Sequence, residues 1–450
     1  MLKSFMTTPD TASTTTTYEK ENANMDKYSN AALGSRVIAE NMIVSNDTRK
    51  TQLNNNDLII GPSGSGKTGG YVVPNLLCAE HSVVCADTKG NLYTKFREDL
   101  EARGFSVYKI DFTSPEEGSG YDPLKYVSYK RRRNGSIKYN EQDILSIANT
   151  LLPIQTKHEP FWESSGQTVL CCLISYVLEV CDDEDKNLAT VADLFKLLTS
   201  QAKSGTISFL DDHSVRYPDS YTTRKYHMFR SCIEAERTFS CICQFVSTAL
   251  DIFDTDCVRE MMIRRPDFMI HDLGRRKCAV FLEISDTDPS LYRLANIFYT
   301  QCLQTLCREA DAQPESRLRV PTRIILDDFA CSCQISNFDN TISIIRSRDI
   351  YTSIILQSMS QLTACYSKPQ ADTIVNNCDH ILYLGGSDLD TVKYISARAG
   401  VPEEKIMYLE VDKVYVLERG SRGQKINKTV PYSMLKDRDI TKRDETQPCA

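Results

Sequence analysis

The chain has 450 residues, 41% hydrophobic and 25% charged, with a formal net charge of −7. That is ordinary globular composition at a length suited to two or three domains' worth of structure. An acidic chain of this kind does not coat itself with nucleic acid, although a local basic surface can still contact it. The 17 cysteines are scattered, mostly inside apolar runs such as "TVLCCLISYVLEV", and no pair has C-x-x-C spacing. Reduced, buried thiols of a cytosolic protein are therefore expected, not a disulfide framework or a zinc site. The longest uncharged apolar-rich run, Ser164 to Leu178, is shorter than the ~20 residues a bilayer requires, so it reads as a buried helix.

Residues 1–30 are Thr-rich and polar, with no apolar core of a secretory signal, and read as a disordered tail. "LIIG" at 58–61 is a short buried strand, followed by a glycine-rich loop and a helix from about Lys67. "SVVCA" at 82–86 and "SVYKIDF" at 106–112 are further strands, separated by a helix that Gly104 stops. Strand–helix alternation of this kind predicts a parallel sheet with helices on its faces. Between 125 and 265 strand signals almost vanish, and apolar residues at 144, 145, 147, 148, 151 and 152 mark a helical face. The reading is an inserted all-helical domain. Strands resume at "CAVFLEI" (278–284), "RIIL" (323–326), "YTSIIL" (351–356) and "HILYL" (380–384), and "KVYVLERGSRGQKINKTV" reads as a terminal β-hairpin turning at Gly420–Gly423. The division is a tail (1–30), a nucleotide-binding part (31–124), the helical insert (125–265), a second nucleotide-binding part (266–430) and a C-terminal tail (431–450).

The chemistry is concentrated in "GPSGSGKT", which fits G-x-x-x-x-G-K-[ST]. Gly61, Gly64 and Gly66 permit backbone angles that turn successive N–H groups toward phosphate oxygens, with Pro62, Ser63 and Ser65 completing the loop. Lys67 reaches the terminal phosphates, the Thr68 hydroxyl suits Mg²⁺, and the following helix presents its positive end to the anion. Such a loop needs an acid at the end of another strand. "RIILDDFA" supplies Asp327, the candidate for the Mg²⁺ side. Asp328 is the candidate to polarise the attacking water, or else a cap of the next segment. Gln357 ends the strand of "SIILQSMSQL" and is a candidate contact to the γ-phosphate or the water, or an ordinary strand-end polar residue. Arg346 and Arg348 in "IIRSRD" are candidates for an arginine inserted into a neighbouring subunit's site, against the alternative of plain surface residues. "KRRRNGS" (130–136) and "GRRK" (274–277) are either solvated turns or nucleic-acid contacts. Pro74 falls about two turns into the predicted helix, where it should remove a hydrogen bond and bend the axis just after the weak Gly69–Gly70 pair.

Taken together, "AALGSRVIAENMIVSN", "NNNDLIIGPSGSGKT", "VVPNLL", "CADTKGNLY", "EPFWESSGQ", "IILDDFA", "ILQSMSQL" and "NNCDHILYLGG" resemble, in order and spacing, the coupling-protein ATPases of type IV secretion and conjugative DNA transfer. The resemblance covers roughly residues 28–430. It implies an α/β fold: a RecA-like P-loop NTPase domain with a mainly parallel sheet and an inserted all-α domain. It also implies ATP and Mg²⁺ as cofactors and a ring, usually a hexamer. That ring would move DNA, single-stranded and attached to a relaxase, or a secreted protein, to membrane components of the secretion channel. Carried over by residue, Gly61 to Thr68 are the nucleotide loop and Asp327 the magnesium acid. Two departures stand out. The family commonly has Glu where this chain has Asp328, which draws the carboxylate back by about 1.5 Å. Many members begin with transmembrane helices, for which this chain shows no run, so the expectation is a cytoplasmic protein brought to the membrane face by a partner, the alternative being a truncated form of an anchored one. The open functional alternatives are an ATP-gated docking receptor with little turnover, or another RecA-like DNA-translocating motor.

Overall fold

The computed structural model describes residues 34–133, 135–155, 159–203, 207–329 and 334–429. The tails at 1–30 and 431–450 lie outside these residues. The strands are β1 (Ser35–Ala39), β2 (Met42–Ser45), β3 (Asp57–Ile60), β4 (Ser82–Asp87), β5 (Ser106–Asp111), β6 (Tyr129–Arg131) and β7 (Ile137–Tyr139). They continue as β8 (Cys278–Glu283), β9 (Thr322–Leu326), β10 (Ile350–Leu356), β11 (His380–Tyr383), β12 (Lys413–Glu418) and β13 (Gln424–Asn427). Nine of them form one sheet in the order β13-β12-β11-β3-β10-β9-β4-β8-β5. From β11 to β5 every neighbour is parallel; β12 and β13 append an antiparallel edge. The central strands read as unbroken apolar runs because both faces are covered: Leu58 and Ile60 pack to one side of β3, Ile59 to the other.

One face carries the helices that follow the glycine loop together with helix Leu92–Ala102 and the β1–β2 hairpin. The other carries the helical insert. Its helices run from Glu141–Leu151 to Asp256–Ile263, and the run Ser164–Leu178 lies inside the buried helix Phe161–Val180. The insert shares its core with the sheet: one continuous cluster joins Leu58, Val280 and Leu326 to Leu173, Phe229 and Phe253.

Two local expectations need correction. The stretch read as strandless contains the ribbon β6–β7, paired Tyr129↔Tyr139, Lys130↔Lys138 and Arg131↔Ile137. Its sequence signal was the Asn134-Gly135 dipeptide between two short extended runs. The helix after the loop is not an α-helix bent at Pro74. It opens as a π-helical turn, Thr68–Val72, in which the Val73 N–H donates to Thr68 O, and only Val73–Leu77 is α-helical. Pro74 thus sits in the first α-helical turn, where a missing N–H is cheapest, and the irregularity has moved upstream onto Gly69 and Gly70.

The β1–β2 hairpin is fastened to that same helix by Asn75. Its Oδ1 accepts from the Val37 N–H at 3.0 Å and its Nδ2 donates to Val37 O at 2.9 Å and Tyr71 O at 2.8 Å, so one side-chain amide imitates a neighbouring strand.

Asp122, where the chain leaves the sheet for the insert, is 1% exposed. Its Oδ1 accepts from the Leu188 N–H at 3.2 Å, and among the described residues its Oδ2 has no hydrogen-bond partner. Burial pushes its pKa up to about 7. Because the folded value exceeds the unfolded one, about 3.9, the folded state binds the extra proton. Stability therefore falls as pH rises from about 4 and levels off above 7. Asp122→Asn is expected to raise the thermal midpoint by roughly 2–5 °C at pH 8.5, with the gain vanishing toward pH 5. Scanning calorimetry at both pH values checks this.

Candidate nucleotide site

The glycine loop leaves the centre of the sheet. Beyond β3 the Gly61 N–H continues the ladder to Leu356 O at 3.1 Å, and Ser65 N–H donates back to Pro62 O at 3.2 Å, closing the loop. The glycines have different reasons. A Cβ on Gly61 would stand 2.5 Å from Ser65 Oγ and 3.0 Å from Leu384 Cβ, so close packing requires glycine there. Gly64 and Gly66 have open space but φ of +77° and +90°, so conformation requires it. Pro62, Ser63, Gly64 and Gly66 are exposed, while Lys67 is 8% exposed and donates from Nζ to Gly61 O (2.8 Å) and Pro62 O (3.1 Å).

Asp327 follows β9, which is separated from β3 by β10. The sheet nevertheless brings the two ends together: Thr68 Oγ1 donates to Asp327 Oδ2 at 2.8 Å. Asp327 is 5% exposed. Burial raises its pKa, against the Thr68 hydrogen bond, which favours the ionised form. A hydroxyl and a carboxylate in contact are hard oxygen donors of the kind Mg²⁺ takes, and they fit that ion. Asp328 has φ of +49°, a left-handed conformation rare for a residue with a side chain, and its N–H donates to Asp327 Oδ1 at 3.0 Å. Gln357 is half-buried at the end of β10, the strand between the loop and Asp327, with its N–H on Gln361 Oε1 at 2.9 Å.

Arg346 and Arg348 lie elsewhere, in the 3₁₀ turn that precedes β10, at the opposite edge of the sheet from the loop. Arg348 is committed to Asp311 (2.8 and 3.1 Å), whereas Arg346 makes no ion pair among the described residues. "GRRK" is also structural in part: Arg275 makes a bidentate pair with Glu309 (2.9 and 2.7 Å), and Arg276 bonds Asp272, Ser106 and Tyr108.

Two contributors escaped the sequence reading. Asp87, in "CADTKGNLY", accepts from the N–H groups of Asn91, Leu92 and Tyr93 and so caps helix Leu92–Ala102. Lys428 reaches the loop from the far end of the chain, with Nζ on Ser65 O at 3.0 Å. No local pattern around Lys428 distinguishes it from any other lysine after a strand.

A parallel sheet in which the loop strand and the Asp327 strand stand one strand apart places the chain among RecA-like P-loop NTPases. Solved structures share that fold. The conjugative coupling protein TrwB lacking its first 70 residues, in complex with sulphate, aligns with TM-score 0.63 and 17% identity over 88% of this chain and 89% of that one. TrwB with the ATP analogue ADPNP gives 0.63 and 16% over the same shares. VirB4 of Thermoanaerobacter pseudethanolicus gives 0.52 and 12% over 89% and 97%. The family described as Type IV secretory system conjugative DNA transfer matches residues 18–405, and the chain belongs to it. Among curated relatives, VirD4 of Agrobacterium fabrum is 22% identical over 345 residues, covering 76% of this chain and 49% of its own length. VirD4 of Bartonella henselae is 21% identical over 375 residues, covering 80% and 55%. The chain thus spans about half the length of the curated relatives it matches.

Proposed function

We propose that the chain is an ATP-hydrolysing coupling protein that recruits DNA, free or relaxase-bound, or a secreted protein, and drives it toward a type IV secretion channel. The observation that carries this reading is the 2.8 Å contact between Thr68 and Asp327, which joins the loop to the acid of a second strand. Mg²⁺, held by Thr68 and Asp327, would supply charge neutralisation on the triphosphate. Lys67 and the loop N–H groups bind the phosphates, Asp328 orients the attacking water, and Gln357 reads the γ-phosphate from the intervening strand. Arg346 is the better candidate for an arginine acting in trans within a ring of copies, because Arg348 already has a partner.

The DNA contact is best assigned to the ribbon β6–β7. The segment 129–139 carries five cations and no acid in a chain of net charge −7. Lys130, Arg131, Arg132 and Arg133 are exposed, and none has an ion-pair partner among the described residues. Lys130 stands directly across from Lys138, whose ammonium has Glu141 at 3.9 Å, so the cations open to an incoming anion are those of 130–133. Tyr129, 55% exposed, adds a face on which a base can stack.

The test is ATP turnover with and without single-stranded DNA. Stimulation is expected, and Lys130, Arg131, Arg132 and Arg133→Gln together should abolish most of it while leaving basal turnover intact. Absence of DNA-stimulated turnover in the assembled protein sinks the motor reading. The second reading, a docking receptor that binds ATP with little turnover, is favoured by the short carboxylate at Asp328. If Asp328→Glu raises turnover severalfold, the short side chain is what restrains hydrolysis. Among the described residues no helix is long and apolar enough to cross a membrane.

A further inference from the structure

Strand β13 ends at Asn427, and the two residues after it cross the loop side of the sheet. The backbone is pinned on both sides: Asn427 O accepts from the Glu40 N–H at 3.2 Å, and the Lys428 N–H donates to Asp412 O at 2.8 Å. From the Cα that follows this doubly held peptide the Lys428 side chain turns inward. Its Nζ donates to Ser65 O at 3.0 Å and to Leu384 O at 3.1 Å. One residue on, Thr429 O lies 3.5 Å from where a Cβ on Gly70 would stand, so the segment continues onto the π turn.

The Ser65–Gly66 peptide is trans, as are all described peptides. A trans peptide is planar, with its C=O and N–H pointing in opposite directions. Fixing Ser65 C=O toward Lys428 therefore fixes the Gly66 N–H toward the other face of the loop. Gly66, at φ +90°, has wide conformational freedom, so the orientation of this peptide gains from an external hold. Both partners of the Lys428 ammonium are neutral carbonyls, and no carboxylate lies within ion-pair distance among the described residues. Its positive charge stands behind the loop without a neutralising contact, and burial lowers its pKa.

We propose that Lys428 is a positioning residue for the nucleotide site, a strap that holds the Ser65–Gly66 peptide with its N–H toward the phosphates and places a cation behind the loop. The inference rests on the reading of Gly61–Thr68 as a nucleotide loop. It joins to that loop a residue 363 positions away, on the antiparallel edge of the sheet.

The experiment uses the full chain. Equilibrium titration with a fluorescent ATP analogue is run on wild type, Lys67→Ala, Lys428→Met and Lys428→Arg, and amide hydrogen exchange is measured without nucleotide. Lys428→Met is expected to weaken binding about tenfold, the size of one lost charge-assisted hydrogen bond, and Lys428→Arg to restore most of it. Exchange should quicken in Lys428→Met at the loop amides of residues 64–68, with the amides of Ile381 and Leu382 in β11 unchanged. Wild-type affinity in Lys428→Met, or equal loosening of β11 and the loop, overturns the strap. Wild-type protein that binds no analogue, or Lys67→Ala that binds it as wild type does, overturns the nucleotide reading itself and the strap with it.

Discussion

Lys67→Ala is expected to lower ATP turnover by at least about 100-fold while leaving the fold intact. Lys67 is 8% exposed and, among the described residues, its ammonium bonds only the loop carbonyls of Gly61 and Pro62, so its removal frees two backbone acceptors at an exposed loop. On the proposed function the energetic loss falls on the polyphosphate, where charge would move during transfer and a fixed cation counts most. Asp327→Asn is the companion variant. It keeps the shape and can still accept from Thr68, but it loses the charge that favours a divalent ion. Turnover should drop comparably and its dependence on Mg²⁺ concentration should shift upward. Steady-state hydrolysis across a magnesium series, beside thermal midpoints, decides the matter. Residual turnover above about a tenth of wild type in Lys67→Ala would place hydrolysis elsewhere.

The largest stability effect is expected from Asp57→Asn. Asp57 begins β3 and is fully buried with Arg36 and Arg323. Arg36 Nε donates to both its oxygens (3.1 and 2.9 Å), Arg323 Nη1 to Oδ2 at 3.1 Å, and the Tyr71 hydroxyl to Oδ2 at 2.5 Å. His380 completes the cluster with Nδ1 3.0 Å from Arg36 Nη2. A guanidinium only donates, so that nitrogen accepts and the ring is neutral, in keeping with a pKa lowered first by burial. Two buried guanidinium groups thus depend on one carboxylate. Removing its charge should cost about 3–5 kcal/mol. Urea unfolding measures it, and a loss under about 1 kcal/mol would mean that water or other residues already neutralise the arginines. The pH dependence has a definite sign. Burial alone would raise the Asp57 pKa, but Arg36 and Arg323 outweigh it and hold it below the usual range. The stabilisation is complete above about pH 4 and is lost as pH falls through the folded value, so the acid branch should flatten in Asp57→Asn.

How much of this was legible in the sequence depends on the distance over which each signal acts. The strands of the main sheet were readable because a doubly covered strand must be apolar on both faces, as in Leu58–Ile60. The loop was recognisable because its residue types stand at fixed spacings, and Asp327 because it ends an apolar strand; the structure adds their contact through Thr68. The polar letters around them were a different matter. Asn46, Asn55, Asp57 and His380 come from three separate resemblance motifs, yet they converge on Arg36 and Arg323 under the sheet. They serve the scaffold, and nothing in their local sequence separates that duty from catalysis. The same holds for Asn75 in "VVPNLL", whose partner is a strand 38 positions earlier. Lys428 and Ser65 were invisible as a pair because no periodicity spans two ends of a chain. The ribbon β6–β7 was missed for the opposite reason. Its strands of three residues each are too short to show alternation, and a run of charges carries no β signal of its own.

The amide of Asn75 has a mechanical consequence. A pull on the backbone at Gly34 runs first into β1, whose moorings include Val37, tied to the helix that follows Thr68, and Arg36, tied to the root of β3, from which the glycine loop springs. Tension arriving from that direction is thus delivered to the base of the nucleotide loop along a path of a few stiff bonds, with no slack loop between. The β1–β2 hairpin is built as a tow-bar whose two ends are the chain at Gly34 and the base of the loop.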